Sequence, residues 1–511
     1  MKLVSKVKKR ILRCIPSYRK REKLRKIHPT MKVLMAGFMQ SSNLGDAVIS
    51  DCAAYLLRKA AKECAVKKLK ITELDIKRQK DKTSLNQVRN SDLVIFPGGG
   101  FIKYKQESFP KDIPRIATRA EHYGIPVMYN AMGVEGYDPE NEGCMKLQEM
   151  LLNFSNRYIT SRDFSDFLNE TYLKDACVKA RRVADPAVWC PETYDIKKSE
   201  NSEYVGLGVA RSGLFVHYGL PVEGEELFIV WENIIKELDE RGIKWKLFTN
   251  GLGKDEEFLT SLLERLGLTD RKEEFSLPVP TTSRELVENV ASFKALIATR
   301  MHANIIAFSL GIPSVAFVWN DKLRAFMESI DCRDRSIEYT ELNDTKHIIN
   351  TLEKAVCVGV KKEIIEREKV SAYGSIMGYM KPFSKEFLSS RRRDFEKCGM
   401  VWYGLPNLES DRLNHKFIED NVEFFVSDDE TIVGTQCLSK PVYSPEKIKG
   451  KLRKPFVIIS ETVDYTPAAK KLMEWGYKER YHFTNMHAYR RYAFNKGEIF
   501  FPAPVSAEIT K

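Results

Sequence analysis

The chain has no uninterrupted apolar run approaching the roughly 18 residues needed to cross a bilayer, which excludes a transmembrane helix. It has no Cys-x-x-Cys pair either. Its ten cysteines lie scattered from Cys14 to Cys437, so neither a zinc site nor a disulfide framework is expected, and the setting is read as reducing and cytoplasmic. The N-terminus is basic throughout and lacks the apolar core of a secretory signal. No nucleophile elbow and no phosphate-binding loop ending in Gly-Lys-Ser/Thr occurs, which removes the commonest hydrolase and nucleotide-hydrolysing plans. The acidic run Asp428-Asp429-Glu430 reads as a turn, because nothing nearby completes a metal ligand set. What remains is a soluble globular composition, 43% hydrophobic and 30% charged, over 511 residues, long enough for two or three domains.

The formal charge of +12 is local rather than general. Residues 1–28 hold twelve lysines and arginines against Glu22 alone, a net +11, and the rest of the chain is close to neutral. Leu3, Val7, Ile11 and Ile15 recur every four residues as far as Pro16, the pattern of a basic amphipathic helix. Such an arm can lie on an anionic membrane surface, or remain a solvated basic tail. RNA binding is a weaker reading, since Tyr18 is the arm's only aromatic residue. If the arm is a membrane tether, deleting residues 1–28 shifts the protein from membrane to soluble fractions, and high salt weakens the attachment. An unchanged distribution sinks the tether.

From Met31 onward, short apolar strands ending in polar or glycine residues alternate with helical stretches, as in a parallel doubly wound sheet. The strand Lys32–Gly37 leads to the turn Asn43-Leu-Gly45-Asp46 and a helix over 47–60. Asp92 to Pro97 runs into Gly98-Gly99-Gly100, Tyr158–Ser161 into Arg162-Asp163, and Val183-Ala-Asp185-Pro186 closes this half. The pattern restarts at Tyr204, whose strand exits through Arg211. It continues to Ser314–Val318, after which Lys322 follows. These are two α/β domains of similar size, 30–200 and 201–385, and the cleft between such a pair is the default ligand site. A third unit, 396–511, reads as a small Rossmann-like accessory module. Its Gly404-Leu-Pro-Asn lacks the spaced glycines that admit a pyrophosphate, so docking or oligomerisation suits it better than chemistry.

The segment richest in chemistry is Ala295 to Pro313. A buried strand end stops at Thr299, Arg300 and His302 follow, and a helix-like run over 303–310 ends at Gly311 and Pro313. Arg300 suits a carboxylate or phosphate, and His302 can move a proton near neutral pH. Taken alone, the segment is equally a solvated arginine beside a satisfied histidine. Asn43 and Asp46 can hold an anion on helix amides or take a sugar hydroxyl, although Asp46 can also be a plain helix-start charge. The triple glycine permits close approach of a substrate, or makes a tight crossover turn. Arg211 and Lys322 are anion partners or ordinary surface cations. His122 and His217 are given no role.

Taken together, Asn43-Leu-Gly45-Asp46, Asp92–Gly100, Ile159–Asp163, Ala184-Asp185-Pro186 and Thr299-Arg300-Met-His302-Ala with Gly311-Ile-Pro313 resemble the polysaccharide pyruvyl transferase family. The resemblance covers about residues 30–330 and leaves the third unit outside. It implies two facing Rossmann-like domains, as in GT-B glycosyltransferases, and an α/β fold throughout. It also implies phosphoenolpyruvate as co-substrate with no further cofactor, and a pyruvate ketal formed on a sugar of a lipid-linked or nascent surface polysaccharide. His302 and Asp46 then become the catalytic pair. Arg300, Arg211, Lys322, Arg162, Asn43, Gly98, Gly99 and Gly100 become substrate-binding. No metal and no nucleic acid enters. A nucleotide-sugar glycosyltransferase on the same plan, or a non-catalytic scaffold of polysaccharide assembly, are the competing readings.

Overall fold

A computed structural model describes residues 30–39, 43–76, 87–103, 112–153, 155–176, 178–211, 213–390, 399–406, 418–479 and 482–486. The basic arm, and with it the membrane expectation, lies outside the described residues.

Three largely parallel sheets follow one another along the chain. The first holds β1 (Thr30–Gly37), β2 (Lys68–Asp75), β3 (Leu93–Phe96), β4 (Gly99–Ile102), β5 (Val127–Val134), β6 (Asn156–Ser161) and β7 (Arg181–Arg182). Their order is β2-β1-β3-β5-β6-β7, with β4 beside β5. The second holds β8 (Val205–Gly208), β9 (Trp245–Phe248), β10 (Ala295–Ala298), β11 (Ser314–Phe317) and β12 (Ser336–Ile337), ordered β12-β11-β10-β8-β9. The third is β13 (Met400–Tyr403), β14 (Phe424–Val426), β15 (Gln436–Cys437), β16 (Lys440–Tyr443), β17 (Phe456–Ile459) and β18 (Phe483–Asn485). Its order is β15-β16-β14-β13-β17-β18, and β15 against β16 is its antiparallel pair.

The strands are apolar because both faces of each sheet are covered. In β1, Val33 and Met35 join one apolar cluster, while Leu34 and Ala36 join the cluster on the opposite face. The first of these clusters continues without a break into the second sheet, through Leu207, Ile297 and Val315. The first two sheets therefore share one core as well as a cleft.

The helix expected over 47–60 spans Leu44–Glu63, and the one expected over 303–310 begins earlier, at Met301. A helix over Lys362–Ser390 was not anticipated in the sequence. It falls largely within the expected second domain (201–385) yet packs on the first sheet's side. Glu368 pairs with Arg182 at 2.9 Å, and Ser375 donates to Asn130 at 2.6 Å. Its apolar residues Ile376, Met380 and Phe383 bury in the shared core, which draws the chain back across the pair. Among the described residues, no helix is long and apolar enough to cross a membrane.

Candidate active site

Strand order reverses between β1 and β3 in the first sheet and between β8 and β10 in the second. Crevices at such reversals, beyond the carboxyl ends of the strands, are where open α/β sheets take ligands. Here the two crevices face each other around a cavity of about 410 Å³. The first unit contributes Phe38, Asn43, Asp46, Gly100, Lys103, Glu135 and Arg162; the second contributes Arg211, His217, Tyr218, Arg300, His302, Trp319 and Lys322. Beyond Arg211 and His217 the cleft runs into a second cavity of about 490 Å³ that includes Lys254 and Phe258.

Eight of the residues singled out from the sequence thus meet at one place. Gly98 and Gly99 do not line it. Gly98 (φ +130°) packs on Ile49, and Gly99 (φ +118°) opens β4. The triple glycine starts a strand alongside β5 instead of forming a loop under a substrate, and only Gly100 reaches the cavity.

His302 sits in the first turn of the helix Met301–Ser309. Thr299 N closes the preceding strand onto Gly208 O at 3.0 Å, and Asn304 Nδ2 donates to Ala298 O at 3.2 Å and Arg300 O at 3.1 Å. That bracing holds the turn, while no side chain caps the helix at Arg300. Its first amides are therefore open donors carrying the positive end of the helix dipole. The imidazole is 7% exposed, and its Nε2 has no hydrogen-bond partner. Burial holds its pKa below the ordinary histidine value; Asp46 and Asp185 oppose that shift, and Arg162 and Lys322 reinforce it. The site thus favours the neutral imidazole over the imidazolium.

Gly45, at the start of the helix Leu44–Glu63, is what lets His302 sit there. A Cβ at this position would overlap the His302 ring. Gly45→Ala must displace either the ring or the helix. We expect a loss of about 1–3 kcal/mol in stability by denaturant melting, together with loss of activity. A variant with native stability and turnover would show that the two elements do not need this contact.

The cations of the cleft are mostly paired. Arg300 holds Asp255, itself 0% exposed, through Nε at 2.8 Å and Nη2 at 2.6 Å. Lys322 reaches across the cleft to Glu135, which also accepts from Tyr218 at 3.3 Å. Arg162 pairs with Asp185, with Asp163 3.7 Å away. Burial works against the Arg162 charge, but Asp185 and Asp163 more than offset it and hold its pKa above the ordinary value. Burial likewise lifts Asp163 above the usual carboxylate range. Arg300 and Lys322 are therefore each already paired with a carboxylate, a partner that neither sequence reading had supplied. Arg211 differs. Its backbone N–H donates to Asp255 at 3.0 Å, its Nε is buried without a hydrogen bond, and among the described residues no carboxylate pairs with its guanidinium.

Asp255, Glu135 and Tyr218 went unnoticed in the sequence, and His217 was given no role. Glu135 directly follows β5, and Asp255 lies two residues into the helix after β9, so the strand-end rule that found Arg300 would have flagged both.

The model of the polysaccharide pyruvyl transferase family matches residues 43–321, more than half of the chain. The chain belongs to the polysaccharide pyruvyl transferase family. The matched span runs from the Asn43 turn to the start of the Lys322 helix, so it contains nearly every cavity residue, whereas the third unit falls outside it. No curated protein matches the chain in sequence. Among solved structures, the UDP-GlcNAc 2-epimerase of Methanocaldococcus jannaschii is similar at 12% identity and a TM-score of 0.45, over 68% of this chain and 98% of that one. The Neisseria meningitidis UDP-GlcNAc 2-epimerase bound to UDP-GlcNAc is similar at 12% identity and TM-score 0.42, over 70% and 99%. The E. coli heptosyltransferase WaaC with ADP gives 13% identity and TM-score 0.34, over 64% and 100%. Family membership makes this pyruvyl transferase relative a polysaccharide-modifying transferase.

Proposed function

We propose that the cleft transfers the pyruvyl group of phosphoenolpyruvate onto two hydroxyls of one sugar in a surface polysaccharide, releasing phosphate. The observation that carries this reading is His302: a buried, neutral imidazole with an unpaired Nε2, at an uncapped helix start, beside Asp46. The ketal's proton balance needs such a group. One sugar hydroxyl adds to the enol carbon and gives up a proton, while the methylene carbon gains one. A second hydroxyl then displaces phosphate, which leaves with the C–O electron pair and that hydroxyl's proton. Neutral His302 takes the first proton and, as an imidazolium supported by Asp46 and Asp185, delivers it to the methylene carbon. Arg211 and the open amides of the Met301–Ser309 helix hold the donor's anionic groups, with Arg300 fixed behind them by Asp255. Asn43 and Asp46 orient the acceptor. The basic arm, on this reading, keeps the enzyme at an anionic membrane surface near a lipid-linked acceptor.

The test is phosphate release from phosphoenolpyruvate against a panel of acceptor glycans, run beside nucleotide release from nucleotide sugars. In Arg211→Met we expect the KM for phosphoenolpyruvate to rise by about 10- to 100-fold, the worth of one or two charge-assisted hydrogen bonds. Nucleotide release without phosphate release would replace this reading with glycosyl transfer.

A further inference from the structure

The third sheet is wound like the first two. β14 and β17 flank β13, so strand order reverses between β13 and β17. A cavity of about 600 Å³ opens at the carboxyl ends of β17 and β18. That size lies within the roughly 300–1,000 Å³ of small-ligand sites, and the position is the one open α/β sheets use. One wall is the loop 460–464 that leaves β17 with the first turn of the helix after it; the other is the helix Asp112–His122 of the first unit. Two separate units therefore build it.

The walls are fixed in place. Ser460 Oγ and Thr462 Oγ1 both donate to Leu405 O, at 2.8 and 2.6 Å. Gly404 (φ +85°) lies so close to Val463 that a Cβ would overlap it. Across the cavity, Thr466 Oγ1 donates to Glu121 at 2.6 Å, and Gly124 permits an approach in which a Cβ would stand 2.7 Å from the Tyr465 ring.

The chemistry of the lining is not that of a nucleotide site. The helix after β17, Tyr465–Glu474, begins where a pyrophosphate would dock, but Asp464 already caps it through Thr466 N at 3.2 Å. Among the described residues, no lysine or arginine lines the cavity. Burial and then Arg119 lower the pKa of His122, with Asp464 opposing them, and this disfavours a cation there. What the cavity presents is carboxylate (Glu121, Glu461, Asp464) interleaved with hydroxyl and amide (Thr118, Thr462, Asn485). Such a surface repels phosphate and accepts hydrogen bonds from a ligand rich in hydroxyls.

We propose that this cavity binds a neutral glycan, and that the third unit is a carbohydrate-docking module seated on the first unit of the transferase pair. The proposal goes beyond the reading of the cleft and does not rest on pyruvyl transfer. The full-length protein is to be titrated with maltohexaose, cellohexaose and a β-1,4-galactohexaose by saturation-transfer NMR, with UDP in parallel. Thr118→Trp fills the cavity from an exposed position, and Glu461→Gln removes one carboxylate at constant size. We expect at least one hexaose to bind, its Kd to rise by about tenfold or more in both variants, and melting temperature to hold. Phosphate release with a monosaccharide acceptor stays at the wild-type level in both variants, which separates this site from the cleft. Failure of every hexaose to bind at millimolar concentration overturns the proposal. So does undiminished binding in Thr118→Trp, or preferential UDP binding that Thr118→Trp abolishes.

Discussion

Replacing His302 by Gln is expected to lower kcat by about 10²- to 10⁴-fold, the usual worth of a positioned acid–base group, while the protein stays folded. Gln preserves much of the ring's volume against Gly45, so the helix start need not shift. The accompanying pH profile fixes the sign of the role. Burial disfavours the imidazolium, so the free enzyme's His302 loses its proton below the ordinary histidine value near 6.5. Taking a proton from the sugar hydroxyl requires the neutral form. kcat/KM should therefore climb as pH rises through that lowered pKa and be flat above it, and His302→Gln should abolish the limb. A profile that falls across the same range would mean that the resting imidazolium is the required form. Near-normal turnover in His302→Gln would remove His302 from the chemistry altogether.

Much of this site was legible because its parts are local. Thr299-Arg300-Met-His302 follows an apolar strand, and the stop at Gly311 and Pro313 marks a helix, so position and residue type could be read together. What stayed hidden is pairing over distance. Asp255 is 45 residues from Arg300, and Glu135 is 187 residues from Lys322, so nothing in either neighbourhood shows that the cation is already held. The triple glycine stayed ambiguous for a different reason: glycine allows positive φ both in a loop and at a strand's start, and only the pairing of β4 with β5 decides between them. The helix Lys362–Ser390 was hidden because it has Pro382 inside and little apolar periodicity to announce it. His217 carried no motif at all. It reaches the cavity because the short helix Leu214–His217 follows directly on the Arg211 exit.

The consequence of that hidden pairing is the other large effect. Asp255 is fully buried and accepts three hydrogen bonds: Arg211 N at 3.0 Å, Arg300 Nε at 2.8 Å and Arg300 Nη2 at 2.6 Å. Asp255→Ala leaves a 12%-exposed guanidinium without its counter-charge and frees the backbone that aims Arg211. Removing one partner of such a pair costs about 3–5 kcal/mol, a large share of a domain's stability. Arg300→Met alone should also destabilise, because it strands the Asp255 carboxylate. The double variant Asp255→Ala/Arg300→Met should regain part of the loss, since no unpaired buried charge remains. Denaturant unfolding of the four proteins measures the coupling directly. An anion anchor behaves otherwise: if Arg300 chiefly binds substrate, Arg300→Met raises the KM for phosphoenolpyruvate and leaves stability unchanged, and the double variant shows no recovery. The geometry favours the pair, because two of the guanidinium's three nitrogens already face Asp255 and only Nη1 remains for a ligand. In the donor site proposed above, Arg300 would then shape the floor beneath Arg211 and the open helix amides rather than bind the anion itself.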